Sequence, residues 1–270
     1  MLQRVLTGTV IAVVIIAILF SDAIVVSAFV GLLILIAQLE MSKVVGISDK
    51  PYLALYNIIF SMIFILATCL NYQIYIPLLS FVYIIALFAI LLFNHENIKF
   101  KDILVSVFSM IYITAAMLHI VAVRNINLGN LYIFMIFIGA FATDTCAYFV
   151  GVLFGKHKLC EKVSPKKTIE GAMGGEIGSI LLMLLFGYVV NHISGVSVNY
   201  VALALFGALS GLVSQLGDLT ASIIKREFNV KDYGHILPGH GGVMDRMDSI
   251  ILMAPLVYYF VAYLPVFVVI

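Results

Sequence analysis

The sequence predicts an all-α integral membrane protein of about nine transmembrane helices, N-terminus cytoplasmic and C-terminus outside. Three observations predict it. Hydrophobic residues make up 63% of the 270 and charged residues only 11%, with a mean hydropathy of +1.16; an ordinary soluble domain is about 25% charged. Apolar runs near twenty residues recur along the chain, and a helix rising about 1.5 Å per residue needs roughly that length to cross about 30 Å of hydrocarbon. The basic residues between those runs fall almost entirely on one side.

The runs lie at 5–21, 23–39, 52–70, 74–93, 103–123, 130–154, 172–191, 199–224 and 249–268. Only Ser21 and Asp22 separate the first two, which also read as one broken element. Arg4 precedes the first run with no small-residue cleavage site after it, so that run reads as an uncleaved span. With the N-terminus inside, nine spans place fourteen of the fifteen Lys and Arg inside and leave only Arg124 outside. Eight or ten spans do not keep this alternation. A formal net charge of +1 implies no acidic polymer partner, and the sequence shows no basic tail for nucleic acid. Cys69, Cys146 and Cys160 have no metal-ligand spacing, and their odd number argues against a disulfide framework.

Polarity is uneven along the chain. Residues 1–102 read as a four-helix membrane region without a dense polar constellation, in which Lys43, Lys50, Lys99 and Lys101 set orientation and anchor the interface. Its apolar surface offers a homodimer face. Residues 103–270 read as five helices that carry the chemistry, integrated with the first four into one domain. Neither a fixed-period repeat nor paired interrupted helices of the transporter kind are visible.

Two acids lie inside runs. Asp144 sits roughly 16 Å from the inside end of its helix and Asp218 roughly 10 Å below Lys225. A carboxylate facing lipid at the depth of Asp144 costs several kcal/mol, so it should meet a cation, a basic partner or a polar cavity. A structural hydrogen bond to a neighbouring helix is the other reading of Asp144. Ser214 and Ser222 flank Asp218 one turn either way, giving that helix a wet side.

Both long polar loops fall on the inside face. In 222–248, Pro238, Gly239, Gly241 and Gly242 around His240 permit a sharp turn and close backbone approach to a ligand. Asp245 and Asp248 follow at i, i+3 on the first turn of the last run. Hard oxygen ligands at this spacing suit Mg²⁺, which takes few carboxylates plus waters and phosphates. Lys225, Arg226, Lys231 and Arg246 supply charge for phosphate oxygens. Acids for a metal and bases for phosphate, mixed in one loop, match what phosphoryl or nucleotidyl transfer needs. A salt-bridged loop capping the last helix, with Asp245 as its helix-start acid, is the alternative. In the other loop, Lys166, Lys167 and Thr168 precede a helix start at 168–171 whose amides favour anions. Gly171, Gly174, Gly175 and Gly178 allow close packing of that helix. His95, His119, His157 and His192 read as structural or interfacial.

These residues resemble a known family. Ser222-x-Ile224-Lys225-Arg226, four residues, Lys231-Asp232-x-Gly234, then Leu237-Pro238-x-His240-Gly241-Gly242-Val243-x-Asp245-Arg246-Met247-Asp248 is similar to the signature of the phosphatidate cytidylyltransferase, or CDP-diacylglycerol synthase, family. Ser164-Pro165-Lys166-Lys167-Thr168-x-Glu170-Gly171 and Asp144-x-x-Ala147-Tyr148-Phe149-x-Gly151 resemble its other polar motifs, so the resemblance covers about 105 residues, 144 to 248. It implies transfer of CMP from CTP to phosphatidic acid in a bacterial cytoplasmic membrane, with the active site facing the cytoplasm. On that resemblance Asp218, Asp245 and Asp248 would hold Mg²⁺ or Mn²⁺, with Asp144 as a further ligand and room for a second ion. Lys225, Arg246 and His240 would join the chemistry; Lys166, Lys167, Thr168, Glu170, Ser222, Arg226, Lys231, Asp232, Gly241 and Gly242 would bind substrate. A CTP-dependent lipid kinase that transfers the γ-phosphoryl group uses the same residue types. A cation-coupled transporter with Asp144 and Asp218 as its ion site is the rival of a different class.

Overall fold

The computed structural model describes residues 2–70, 72–237, 239 and 241–269; Pro238 and His240 lie outside the described residues. Helices α1 (Leu2–Leu19), α2 (Ala23–Val44), α3 (Pro51–Cys69) and α4 (Ile76–Phe93) come first. Then follow α5 (Phe100–Ser109), a π-helical stretch (Met110–Ala115), α6 (Ala116–Asn125) and α7 (Gly129–Phe154). A hairpin of β1 (Lys158–Cys160) and β2 (Ser164–Thr168) leads into α8 (Ile169–Ser194). Strand β3 (Val196–Val198), α9 (Tyr200–Glu227), α10 (Met244–Tyr263) and β4 (Phe267–Val269) complete the chain. Each expected apolar run falls on helix, the last only as far as Tyr263. Seven helical segments among the described residues are long and apolar enough to cross a membrane: α2, α3, α4, Phe100–Asn125, α7, α8 and α9. The protein is therefore an all-α membrane protein.

Local chemistry sets the boundaries. Pro51 and Pro77 stand in the first turns of α3 and α4, where a missing amide costs nothing. Gly46 and Gly195 take positive φ just past α2 and α8, a conformation that is strained for residues with a Cβ. The last apolar run was expected to stay helical to 268, but α10 stops at Tyr263. Pro265 cannot continue a helix and restricts Leu264 before it. Phe267–Val269 then pairs as β4 with β3, Ser197 opposite Val268.

The chain divides into two compact units interleaved in sequence: Met1–Ala122 with Glu227–Met247, and Val123–Arg226 with Asp248–Ile270. In the first unit the expectation of an N-terminal region without a polar constellation is corrected. Gln38, fully buried on α2, donates through Nε2 to the Ser109 carbonyl and to Thr114 Oγ1, both at 3.0 Å. Thr114 shares a 2.9 Å hydrogen bond with Ser61, and Tyr83 donates to Asn57 Oδ1 at 2.9 Å. A π-turn displaces the helical hydrogen-bond register, and the Gln38 amide supplies a donor to a carbonyl where that register changes. Lys50, expected only to anchor the interface, is ion-paired with Asp102, which also accepts from the Lys99 amide at the start of α5. The hydrogen-bonded partners come from α2, α3, α4, the end of α5 and the π-helical stretch, far apart in sequence, so no linear run displays them.

In the second unit α7 and α8 pack closely along the expected glycine face. A Cβ at Gly175 would stand 2.8 Å from the Thr143 carbonyl oxygen and 3.0 Å from Ala147 Cβ; one at Gly171 would stand 2.7 Å from the Ala147 carbonyl oxygen. At Gly178 it would overlap the Cys146 side chain. Gly178→Leu should therefore destabilise the protein by about 1–3 kcal/mol through overpacking. Thermal unfolding in detergent checks this, and Cys146→Ala in the same chain should recover part of the loss.

Candidate active site

The acids of the second unit gather from three helices. On α9, Gly217 lets the backbone of α10 come close, since a Cβ there would stand 2.6 Å from the Asp248 carbonyl oxygen. The next residue, Asp218, is thereby set beside α10. Asp248 lies within Coulombic reach of Asp218, of Asp144 on α7 and of Lys225 at the last turn of α9. Its Oδ1 accepts from the Ser249 amide at 2.9 Å, while the Ser249 hydroxyl donates to Asp144 Oδ2 at 3.0 Å. Asp144 is exposed and Asp218 half-buried, so neither carboxylate is sealed into the helix pack. Ser222 approaches Asp218 Oδ1 at 3.5 Å, as the i, i+4 stripe predicts. Ser214, the other end of that stripe, is buried with an unpartnered hydroxyl.

A basic strand meets this cluster. Strand β2 carries Lys166, exposed, and Lys167, whose ammonium sits 2.5 Å from Asp218 Oδ2. The pairing gives the Asp218 carboxylate a cation at hand. Thr168 caps α8, its Oγ1 accepting from the Gly171 amide at 3.1 Å, as expected of a helix start there. Thr168→Ala should cost about 1 kcal/mol of stability, read as a lowered unfolding temperature. Glu170, expected among the substrate contacts, is engaged with the base of the hairpin. It accepts from the Lys156 amide at 3.1 Å, the His157 amide at 3.2 Å and His157 Nδ1 at 2.6 Å. His157 is thus a hairpin clasp, in keeping with its structural reading. Arg226 is exposed at the end of α9.

The loop between α9 and α10 belongs to the first unit. Gly239 and Gly241 take positive φ of 76° and 82°, and the Leu237 amide donates to the Gly241 carbonyl at 2.9 Å, closing the expected sharp turn. Asp245 lies 6% exposed, its Oδ2 accepting from the Tyr233 amide at 2.7 Å and the Gly242 amide at 3.0 Å. Lys231 and Arg246 are exposed and Asp232 half-buried. His240 lies outside the described residues. The sequence reading missed Glu40 on α2, whose two carboxylate oxygens accept from the Val243 and Met244 amides at 3.0 and 2.8 Å. Its only signal was an acid at the end of an apolar run, indistinguishable from an interfacial charge.

The donor chemistry admits a hard cation. Asp248 has the like charges of Asp144 and Asp218 within its range, and the Ser222 and Ser249 hydroxyls lie at Asp218 and Asp144. No group of three His, Cys, Asp or Glu among the described residues is placed as a ready-made metal cage. The cation paired with Asp218 here is Lys167. Mg²⁺ does not require a full protein cage, because it takes one or two carboxylates and completes its shell with water and substrate phosphate. The residues fit such an ion.

Comparison with known proteins gives the family. The model of the family described as "Cytidylyltransferase family" matches residues 2–264. A phosphatidate cytidylyltransferase of Staphylococcus aureus (strain COL) is 33% identical over 257 residues, 94% of this chain and 96% of that protein. One of Bacillus subtilis (strain 168) is 37% identical over 185 residues, covering 66% of this chain and 67% of the relative. One of Staphylococcus haemolyticus (strain JCSC1435) is 39% identical over 163 residues, 60% of each chain. A match that runs from the first helix to the end of the last, and takes in both the acidic cluster and the glycine loop, leaves one conclusion: this chain belongs to the cytidylyltransferase family, and is an enzyme of the transferase class.

Proposed function

We propose that the chain transfers CMP from CTP to phosphatidic acid, releasing pyrophosphate and forming CDP-diacylglycerol at the cytoplasmic face of a bacterial cytoplasmic membrane. The relatives named phosphatidate cytidylyltransferase support the substrate pair. The observation that carries the reading is the meeting of a basic strand end with three carboxylates, Lys167 on Asp218 beside Asp248 and Asp144. The inside excess of Lys and Arg supports the membrane face.

In this reading a phosphate oxygen of phosphatidic acid attacks the α-phosphorus of CTP, the bond to the β-phosphate oxygen breaks, and pyrophosphate leaves. The nucleophile already carries its charge, so neither a strong base nor a covalent enzyme intermediate is needed. Asp218 and Asp248, with Asp144 beside them, would hold Mg²⁺ or Mn²⁺, and the chemistry such an ion supplies is neutralisation of charge on phosphoryl and leaving oxygens. Lys167 and Lys225 stand at the acids and would hold phosphate oxygens once substrate arrives; Lys166 and Arg226 are exposed donors of the same kind. Lys231 and Arg246 are assigned to phosphate by residue type alone. Ser249 orients the Asp144 carboxylate through its hydroxyl.

The test uses purified protein in detergent with phosphatidic acid, Mg²⁺ and CTP labelled at the α-phosphate. Label should enter the lipid with release of pyrophosphate, and EDTA should abolish both until Mg²⁺ is restored. No lipid labelling from α-labelled CTP, with transfer of label from the γ-position to a lipid alcohol, would replace this reading with a kinase.

A further inference from the structure

Glu40 lies outside every motif that suggested the chemistry, yet it is the most enclosed carboxylate of the first unit. It is 3% exposed, and its two oxygens accept from the Val243 and Met244 amides, at the start of α10. These amides are among those a helix leaves without intrahelical partners at its N-terminus. Capping groups normally come from the residues just before the helix. Here the cap comes from α2, across 203 residues of sequence.

The enclosure is tight. A Cβ at Gly234 or Gly242 would collide with the Glu40 side chain, the first within the Glu40 Cγ–carboxyl region and the second against both oxygens. Both glycines are therefore pressed onto Glu40, and any larger residue at either position would displace the carboxylate. Lys43 and Asp245 lie within its Coulombic reach. Asp245 in turn accepts from the Tyr233 and Gly242 amides. Gly242 thus sits between two carboxylates, packed on one and bonded to the other. The two acids together hold four backbone amides of the loop, at Tyr233, Gly242, Val243 and Met244.

We infer that Glu40 is a positioning residue for cytidylyl transfer: it fixes the glycine loop and the start of α10 from α2, without touching substrate. The inference rests on the proposed reaction for its kinetic consequence, and on geometry alone for its structural one. It also gives the N-terminal region a part in the chemistry beyond membrane anchoring.

The experiment compares wild type, Glu40→Gln and Glu40→Ala by hydrogen–deuterium exchange and by steady-state kinetics. Amides in 233–244 should exchange faster in both variants, while peptides from α7 and α8 keep wild-type protection. Turnover should fall about tenfold in Glu40→Gln, which keeps one acceptor oxygen and nearly the same shape, and at least a hundredfold in Glu40→Ala. KM for CTP and for phosphatidic acid should move less than threefold. Unchanged exchange in 233–244 of either variant, or turnover of Glu40→Gln within twofold of wild type, would overturn the inference. A protein that loses protection everywhere in Glu40→Gln would also overturn it, since the role is then general stability. Wild-type protein that transfers no label would defeat the proposed reaction instead, and the exchange comparison would still decide the placement of Glu40.

Discussion

Asp248→Asn and Asp218→Asn are each expected to lower cytidylyl transfer by about three orders of magnitude, the upper end of what loss of one preorganised charged group costs an active site. The substitutions keep side-chain shape and remove one negative charge each, so folding should survive. For Asp248 the argument is its place between two other acids and within reach of Lys225. It is the member whose loss most weakens the field that draws a divalent cation. For Asp218 the loss has a second consequence. Lys167 is paired with its Oδ2, and with an amide there the ammonium is no longer held by a charge. Asp218→Asn should therefore raise KM for CTP as well as lower turnover, whereas Asp248→Asn should act mainly on turnover. Binding of Mn²⁺, followed by its electron paramagnetic resonance signal in detergent, should weaken in both variants. Full Mn²⁺ binding and near-normal turnover in Asp248→Asn would remove the cluster from the chemistry.

What the sequence made legible depends on distance along the chain. The nine runs, the glycine face of α8 and the Thr168 helix start could be read because each is a local pattern with its own period or cap. The wet side of α9 around Asp218 was legible too, from the i, i+4 stripe of Ser214, Asp218 and Ser222; that Lys167 would pair with Asp218 was not. Ser249 and Gly217 escaped notice because their meaning lies in helix crossing, which a single run of sequence does not encode. Gln38, Asn57, Ser61 and Thr114 looked incidental one at a time and become a network only when α2, α3, α4 and the π-turn are packed. Residues 264–268 are as apolar as the helix before them, yet they leave it because Pro265 sets the backbone there.

Asp245→Ala is expected to cost about as much activity as the loss of an acid from the cluster, but by a different route. Its Oδ2 accepts from two amides, Tyr233 and Gly242, in a place only 6% exposed. A buried donor left without a partner costs about 1–3 kcal/mol, so alanine should open the loop at a cost of about 2–6 kcal/mol. Asp245→Asn retains an acceptor oxygen but presents an NH₂ group on the other side, where it cannot accept, so its loss should be smaller. If the carboxylate acted chiefly through a bound ion, the order would change: asparagine would be nearly as damaging as alanine, and excess Mg²⁺ would partly rescue both. If it acts by holding the loop, Mg²⁺ rescues neither, and peptides covering 233–244 lose protection in proportion to the loss of turnover. The same acid thus has two physical roles open to it by residue type. The hydrogen bonds it makes favour the second, and the Mg²⁺ titration of Asp245→Asn separates them.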